Sequence, residues 1–159
     1  MMYKLMMAIK SSVVSKKAVY PSDNFISGSI ERGELYILTD SDTLYACVIL
    51  NSEHNDGYDG CPWSIDCDQE DVITLHALAV NPKFQRNGIV KIVVDDIINI
   101  AKTEHKKEIR LDVLGVCEAA ERLYRNCRFQ FVEAKKMFYE DTGWTVYKLF
   151  ELNLGNEYE

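Results

Sequence analysis

The chain has 159 residues, 47% hydrophobic and 27% charged, with a formal net charge of −7, which is the make-up of one ordinary globular domain with a real core. No apolar run approaches the ~20 residues of a membrane span, and the acidic balance argues against nucleic acid as a main partner while suiting a cationic one. Five cysteines, an odd count without C-x-x-C spacing, imply free thiols in a reducing cytoplasm and lack the pattern of a zinc site.

Residues 1–10 carry no small-residue cleavage site, so no secretory leader is expected. Residues 3–18 suggest a helix with a poor stripe. Tyr20-Pro21-Ser22-Asp23 is a stop and a restart, because proline disfavours helix in the residue before it. Ser22 is placed to cap a second helix with Asp23 in its first turn. Phe25, Ile26 and Ile30 should face the core, and Gly33 should end the helix. Residues 34–39 and 44–51 follow as strands, and the turn Asp40-Ser41-Asp42-Thr43 makes them a hairpin.

Residues 52–71 are acidic, with Glu53, Asp56, Asp59, Asp66, Asp68, Glu70 and Asp71 around Gly57 and Gly60. The alternating order of a calcium loop is missing. A solvated loop is the simple expectation, and a lip of a substrate cleft is the other. Residues 72–80 are a nearly continuous apolar strand, as a central strand should be. From Gly88 to residue 104 a helix presents Ile89, Ile92, Val93, Ile97, Ile100 and Ala101 at spacings of three and four. Residues 109–114 form a strand. Residues 118–127 form a helix with Ala119, Leu123 and Cys127 on one side. Residues 129–133 and 137–140 are extended, Asp141-Thr142-Gly143 turns the chain, and 144–154 is a last strand.

The strand-helix-strand unit over 72–114 requires a parallel pair, and the hairpins make the rest antiparallel. The expected fold is therefore α/β with a mixed sheet, not a doubly wound one.

The segment Val80-Asn81-Pro82-Lys83-Phe84-Gln85-Arg86-Asn87-Gly88-Ile89-Val90-Lys91 is the most informative. A strand runs into a basic-polar loop, then a glycine, then a helix. The first N–H groups of a helix have no partner inside it and can hold phosphate oxygens. Gly88 lets the backbone approach such a group closely.

Gln85 to Val90 resembles the Q/R-x-x-G-x-G/A loop of the GCN5-related N-acetyltransferases, matching at Gln85 and Gly88 and departing at Val90. Residues 117–129 resemble the family's N-x-x-A-x-x-L-Y-x-x-x-G-F: Ala120, Leu123, Tyr124 and Phe129 match, while Cys117 and Arg128 replace Asn and Gly. Leu78-Ala79-Val80-Asn81-Pro82 is similar to the strand end before the family's CoA loop. The segment from Tyr20-Pro21 to Gly33-Glu34-Leu35-Tyr36-Ile37 also looks like small bacterial members. The resemblance spans about residues 20–154 and implies one acyltransferase domain over 1–159, with a central parallel pair of strands that splay apart. The family's usual first strand has no counterpart in the sequence pattern and is expected to be missing, leaving an edge to cover or pair.

The resemblance also implies a mechanism. Acetyl-CoA would lie with its pantetheine along Leu78, Ala79 and Val80, and with its pyrophosphate on the amides of Arg86 to Lys91, including Asn87, Gly88, Ile89 and Val90. Cys117 stands where the family has a pantetheine-contacting Asn. A primary amine of a small molecule or peptide, cationic if the acidic loop selects it, would take the acetyl group directly. Tyr124 is the candidate acid for the leaving thiolate, since a phenol is protonated at neutral pH. Otherwise it packs in the core with its hydroxyl bonded. His76 is the candidate base, because imidazole titrates near neutrality; otherwise it is a satisfied core residue. Tyr36, Glu70 and Asp71 are the remaining candidates. No metal is implied, and a homodimer is. A catalytically silent acyl-CoA-binding or regulatory module is the alternative, motivated by Val90, Cys117 and Arg128.

Overall fold

A computed structural model describes residues 4–7, 23–40 and 42–155. Its elements are β1 (Lys4–Met7), α1 (Asp23–Glu31), β2 (Leu35–Thr39), β3 (Leu44–Asn51), β4 (Val72–Val80), α2 (Ile89–Thr103), β5 (Glu108–Leu114), α3 (Glu118–Asn126), β6 (Gln130–Tyr139) and β7 (Gly143–Asn153). The strands follow the order β1-β2-β3-β4-β5-β7-β6, with β4 and β5 parallel. This is the expected mixed, mostly antiparallel sheet. The chain divides into two compact units, residues 1–51 with 75–97 and residues 52–74 with 98–159.

In the first unit, the strand expected to be missing is present. β1 pairs antiparallel with β2, from Lys4 opposite Thr39 to Met7 opposite Tyr36. Residues 4–7 are therefore strand rather than the start of a helix. Backbone groups along the free side of β2 need partners, and a four-residue segment satisfies them whatever its own helical propensity. The remainder of that helix, from residue 8, and the Ser22 cap lie outside the described residues.

Helix α1 places Phe25, Ile26 and Ile30 against Leu35 and Ile49, with Ile37, Cys47 and Ala77. Full burial of such an apolar side chain is worth about 1.5–3 kcal/mol, and these half-buried ones gain part of it. The helix ends as Gly33 requires, at φ 71°. Gly33 N–H donates to Ile30 O and Glu34 N–H to Ser29 O, the paired bonds of a Schellman end. Strands β2 and β3 form the expected hairpin, with Leu35 opposite Ile49. In its turn, Asp40 Oδ1 accepts from the amides of Asp42 and Thr43.

In the second unit, the parallel ladder joins Val72–Thr74 to Glu108–Arg110. β5 pairs with β7, and β7 with β6. β6 is one continuous strand where two extended stretches were expected, because Ala134, Lys135 and Lys136 pair with Lys148, Tyr147 and Val146. Polar residues are tolerated there since β6 is an edge strand. Helix α3 turns Leu123 and Cys127 inward as expected, with Ala120 and Tyr124 beside them, whereas Ala119 is exposed.

Residues 52–71 are not a solvated loop. Their carboxylates mostly face water, but Tyr58 and Cys61 are buried with Met137, Tyr147 and Leu149. Tyr58 donates its hydroxyl to Asp112 at 2.7 Å, and Tyr139 donates to the same oxygen at 2.6 Å. Trp63 lies over Arg110 at 4.1 Å. The Ser64 amide donates to the Glu151 carboxylate at 3.0 Å, and Asn55 Nδ2 donates to Phe138 O at 2.7 Å on β6. Aromatic and amide groups pin the backbone while the acids stay outside.

Candidate functional site

The phosphate-seat segment begins on a fixed backbone. Asn81 N–H donates to Tyr45 O at 2.8 Å, and Asn81 Nδ2 donates to Leu44 O at 2.9 Å. Its Oδ1 accepts from Lys83 N–H at 3.1 Å, capping the short turn Pro82–Phe84, and the rings of Phe84 and Tyr45 lie 4.7 Å apart. Both ends of that turn are thus tied to β3.

Gln85, Arg86, Asn87 and Gly88 follow, all exposed. Arg86 and Gly88 both take left-handed backbone, at φ 67° and 74°. Alternation of this kind turns successive N–H groups toward one side, the geometry of an anion-binding nest. A Cβ at Gly88 would meet nothing within 4 Å. The space over the loop is open, and the glycine is needed for its φ as well as for close approach.

Helix α2 starts at Ile89, and its first intrahelical bond is Ile92 N–H to Gly88 O at 3.3 Å. The amides of Ile89, Val90 and Lys91 therefore precede the helical ladder and remain for an anion. Ile89 is buried and Val90 half-buried, so their side chains anchor the helix while their N–H groups stay at its mouth. Arg86 and Lys91 add exposed positive charge. The residues fit a pyrophosphate.

Upstream, Leu78 and Val80 are half-buried and Ala79 is exposed. Ala77 sits at φ 49° in the middle of β4. A residue with a Cβ pays about 1–2 kcal/mol for that conformation, and it re-aims the backbone just before Leu78.

His76 is half-buried, and its Nε2 lies 2.8 Å from Asn51 Oδ1. Asn51 Nδ2 reaches Glu34 Oε2 at 3.3 Å. Sequence reasoning missed both partners. The signal, a polar residue closing one apolar strand opposite a histidine within another, becomes visible only once β3 and β4 are aligned.

Tyr124 is buried on α3 in the second unit, with its ring 5.6 Å from that of Phe129. Among the described residues its hydroxyl has no hydrogen-bond partner, unlike a satisfied core tyrosine. Burial, with smaller contributions from Cys127 and Asp112, pushes the phenol well above its ordinary value, so it stays protonated through the neutral range. Cys117 is the N-cap of α3 and is exposed, without a side-chain capping bond. Arg128, where the family pattern has Gly, adopts φ 73°. It therefore follows the backbone path a glycine would take. Of the other candidate bases, Asp71 is engaged by Lys107 Nζ at 2.9 Å.

Residues 76–91 belong to the first unit, and Cys117 and Tyr124 to the second. No described helix is long and apolar enough to cross a membrane.

Residues 1–129 match the model of the acetyltransferase (GNAT) family. An uncharacterised N-acetyltransferase of Bacillus subtilis, YesJ, is 30% identical over 109 residues, covering 69% of this chain and 59% of its own length. This chain thus spans less than two thirds of that relative. The structure of a GNAT family acetyltransferase from Elizabethkingia anophelis with acetyl-CoA bound superposes with a TM-score of 0.68 at 18% identity, covering 96% of this chain and 98% of that one. A Bacillus subtilis acetyltransferase in complex with CoA gives 0.65 at 16% identity, over 96% and 99%. At these identities the structural likeness is one of fold.

Proposed function

We propose, for a chain that belongs to the acetyltransferase (GNAT) family, that it is a cytoplasmic N-acetyltransferase using acetyl-CoA to acetylate a primary amine of a small molecule or peptide. The observation that carries this reading is the loop 85–91. Two left-handed residues, an open approach at Gly88 and the first amides of α2 form one anion seat. Gln85, Arg86, Asn87, Gly88, Ile89, Val90 and Lys91 would hold the pyrophosphate. The backbone of Leu78, Ala79 and Val80 would hold the pantetheine.

Acetyl-CoA would supply an activated acyl carbon, whose C–S bond breaks as the amine forms a C–N bond. The chain's own part is proton handling. His76 takes the proton that the amine loses, and Tyr124, kept protonated by burial, supplies one to the departing sulfur. The exposed carboxylates of residues 53–70 favour a cationic amine. Faster turnover of neutral or anionic amines than of cationic ones would overturn that preference. We further propose a homodimer, which the mass in solution tests.

Calorimetric titration with acetyl-CoA tests the seat, with Gly88→Glu as the control. The new carboxylate stands where phosphate should bind. Binding that the variant abolishes supports the reading, and absence of binding to the wild-type protein overturns it.

A further inference from the structure

Strand β6 ends the sheet, so one of its sides faces no other strand. Two bonds show which residues look out from that side. Asn55 Nδ2 donates to Phe138 O at 2.7 Å, and Val146, opposite Lys136, gives its carbonyl to Gly115 N–H on the β5 side. Backbone groups alternate sides along a strand, so Ala134, Lys136 and Phe138 turn their N–H and C=O away from β7. Asn55 takes the Phe138 carbonyl. Among the described residues, nothing takes the outward backbone groups of Ala134 and Lys136. Such an edge is a template for a further strand.

The side chains decide which strand fits. Glu133 and Lys135 lie opposite Leu149 and Tyr147, so they share one face, and both are half-buried. Phe131, Ala134 and Phe138 lie opposite Phe150, Lys148 and Trp144 on the other face, where Phe131 and Phe138 are exposed. Two identical strands that pair antiparallel are related by a two-fold axis standing on the sheet, so each register sets one residue opposite its own copy. Centring on Glu133, Lys135 or Lys136 sets like charges opposite one another, which destabilises a sheet. Centring on Val132 meets the irregularity between Phe131 and Glu133, and centring on Met137 draws in the carbonyl that Asn55 already holds. Centring on Ala134 leaves residues 133–135 as a regular middle with no like-charge contact. The two alanines then exchange both of their outward backbone bonds. Glu133 stands opposite the partner's Lys135 twice, once on each side of the axis.

We propose that β6 pairs antiparallel with β6 of a second copy of this chain, centred on Ala134. The inference names the interface of the homodimer proposed above and rests on that reading. Main-chain bonds supply the attraction, and the alternating charges choose the register. On the opposite face, Phe131 of each chain is turned toward the partner's Phe138, a diagonal that aromatic side chains can span.

Sedimentation equilibrium of the full chain tests the pairing, with circular dichroism showing that each variant is folded. The wild-type protein should sediment at twice the mass of one chain. Glu133→Lys and Lys135→Glu each convert both central charge pairs into like pairs, and each should weaken self-association on the order of tenfold or more. Mixing the two variants should restore a dimer, because a chain with two lysines then faces a chain with two glutamates. The double variant Glu133→Lys/Lys135→Glu should associate as the wild type does. A wild-type dimer that both single variants keep overturns the inference and leaves the homodimer reading standing. So does a mixture of the single variants that stays monomeric. A wild-type protein that sediments as a monomer at every concentration overturns both.

Discussion

The amide of Phe129 donates to the carbonyl of Tyr124 at 3.0 Å. This bond reaches back over five residues and closes α3. Arg128 must pass through φ 73° to allow it, a conformation that costs a residue with a Cβ about 1–2 kcal/mol. Arg128→Gly should therefore raise stability by about 1 kcal/mol, part of the gain being lost to the freer unfolded chain. Denaturant melts of the two proteins measure it, and an unchanged midpoint refutes it.

Cys117 caps the other end of the same helix without a side-chain bond. Asn and Asp at such positions accept from the next amides and are worth about 0.5–2 kcal/mol over non-capping residues. Cys117→Asn should raise the melting temperature by a few degrees, near ~4 °C for a gain of about 1 kcal/mol.

Removing the Tyr124 hydroxyl separates chemistry from packing. That group has no partner among the described residues, so Tyr124→Phe should leave stability within about 0.5 kcal/mol. Loss of a general acid should slow acetyl transfer on the order of a hundredfold. A large fall in stability, or a full rate, contradicts the assignment.

At Gly57 a Cβ would stand 2.5 Å from Met137 Sδ and 2.6 Å from its Cγ. Met137 is buried beneath the turn and cannot swing into solvent. Gly57→Ala should cost about 1–3 kcal/mol by overpacking. Gly57→Ala combined with Met137→Ala should lose less than the sum of the two single changes, as a double-mutant cycle reports.

Glu108 is fully buried beside Arg110 and Glu151, and burial, then its bond to Glu151, raises its pKa from 4.5 to about 8. The folded protein thus holds a proton that the unfolded chain releases. The stability contributed by this group is complete below pH ~4.5 and is lost as pH rises through about 8. The whole change is of the order of a few kcal/mol. Glu108→Gln, which mimics the protonated form, should flatten the fall between pH 5 and 8. A variant with the wild-type slope contradicts the protonated state.

Local pattern carried most of the fold. The apolar run 72–80 is β4 at both ends, and the stripe from Ile89 is α2 to within a residue at either end. Gly33 and Gly88 were legible because a left-handed residue leaves a sequence trace when it is glycine. Arg86, His105 and Arg128 adopt the same region and leave none. What depends on distant pairing was hidden. β1 exists because β2 offers it an edge, and Tyr58 finds Asp112 across 54 positions of sequence. For the site, the anion loop was readable as a contiguous motif. The Asn51 partner of His76 was not, because a twenty-residue acidic segment hides the alignment of β3 with β4.

Strand β5 has no dispensable side. Ile109, Leu111 and Val113 are buried on one face, while Glu108 and Arg110 are buried on the other, with Asp112 bound by two phenols. Sliding the strand by one position against β7 would send Glu108 and Arg110 into the aliphatic layer and bring isoleucine and leucine against Glu151, Trp63 and Tyr58. Both layers would fail together. The buried Glu108 and Arg110 thus act as a reading frame for assembly, marking the native alignment against one shifted by a single residue.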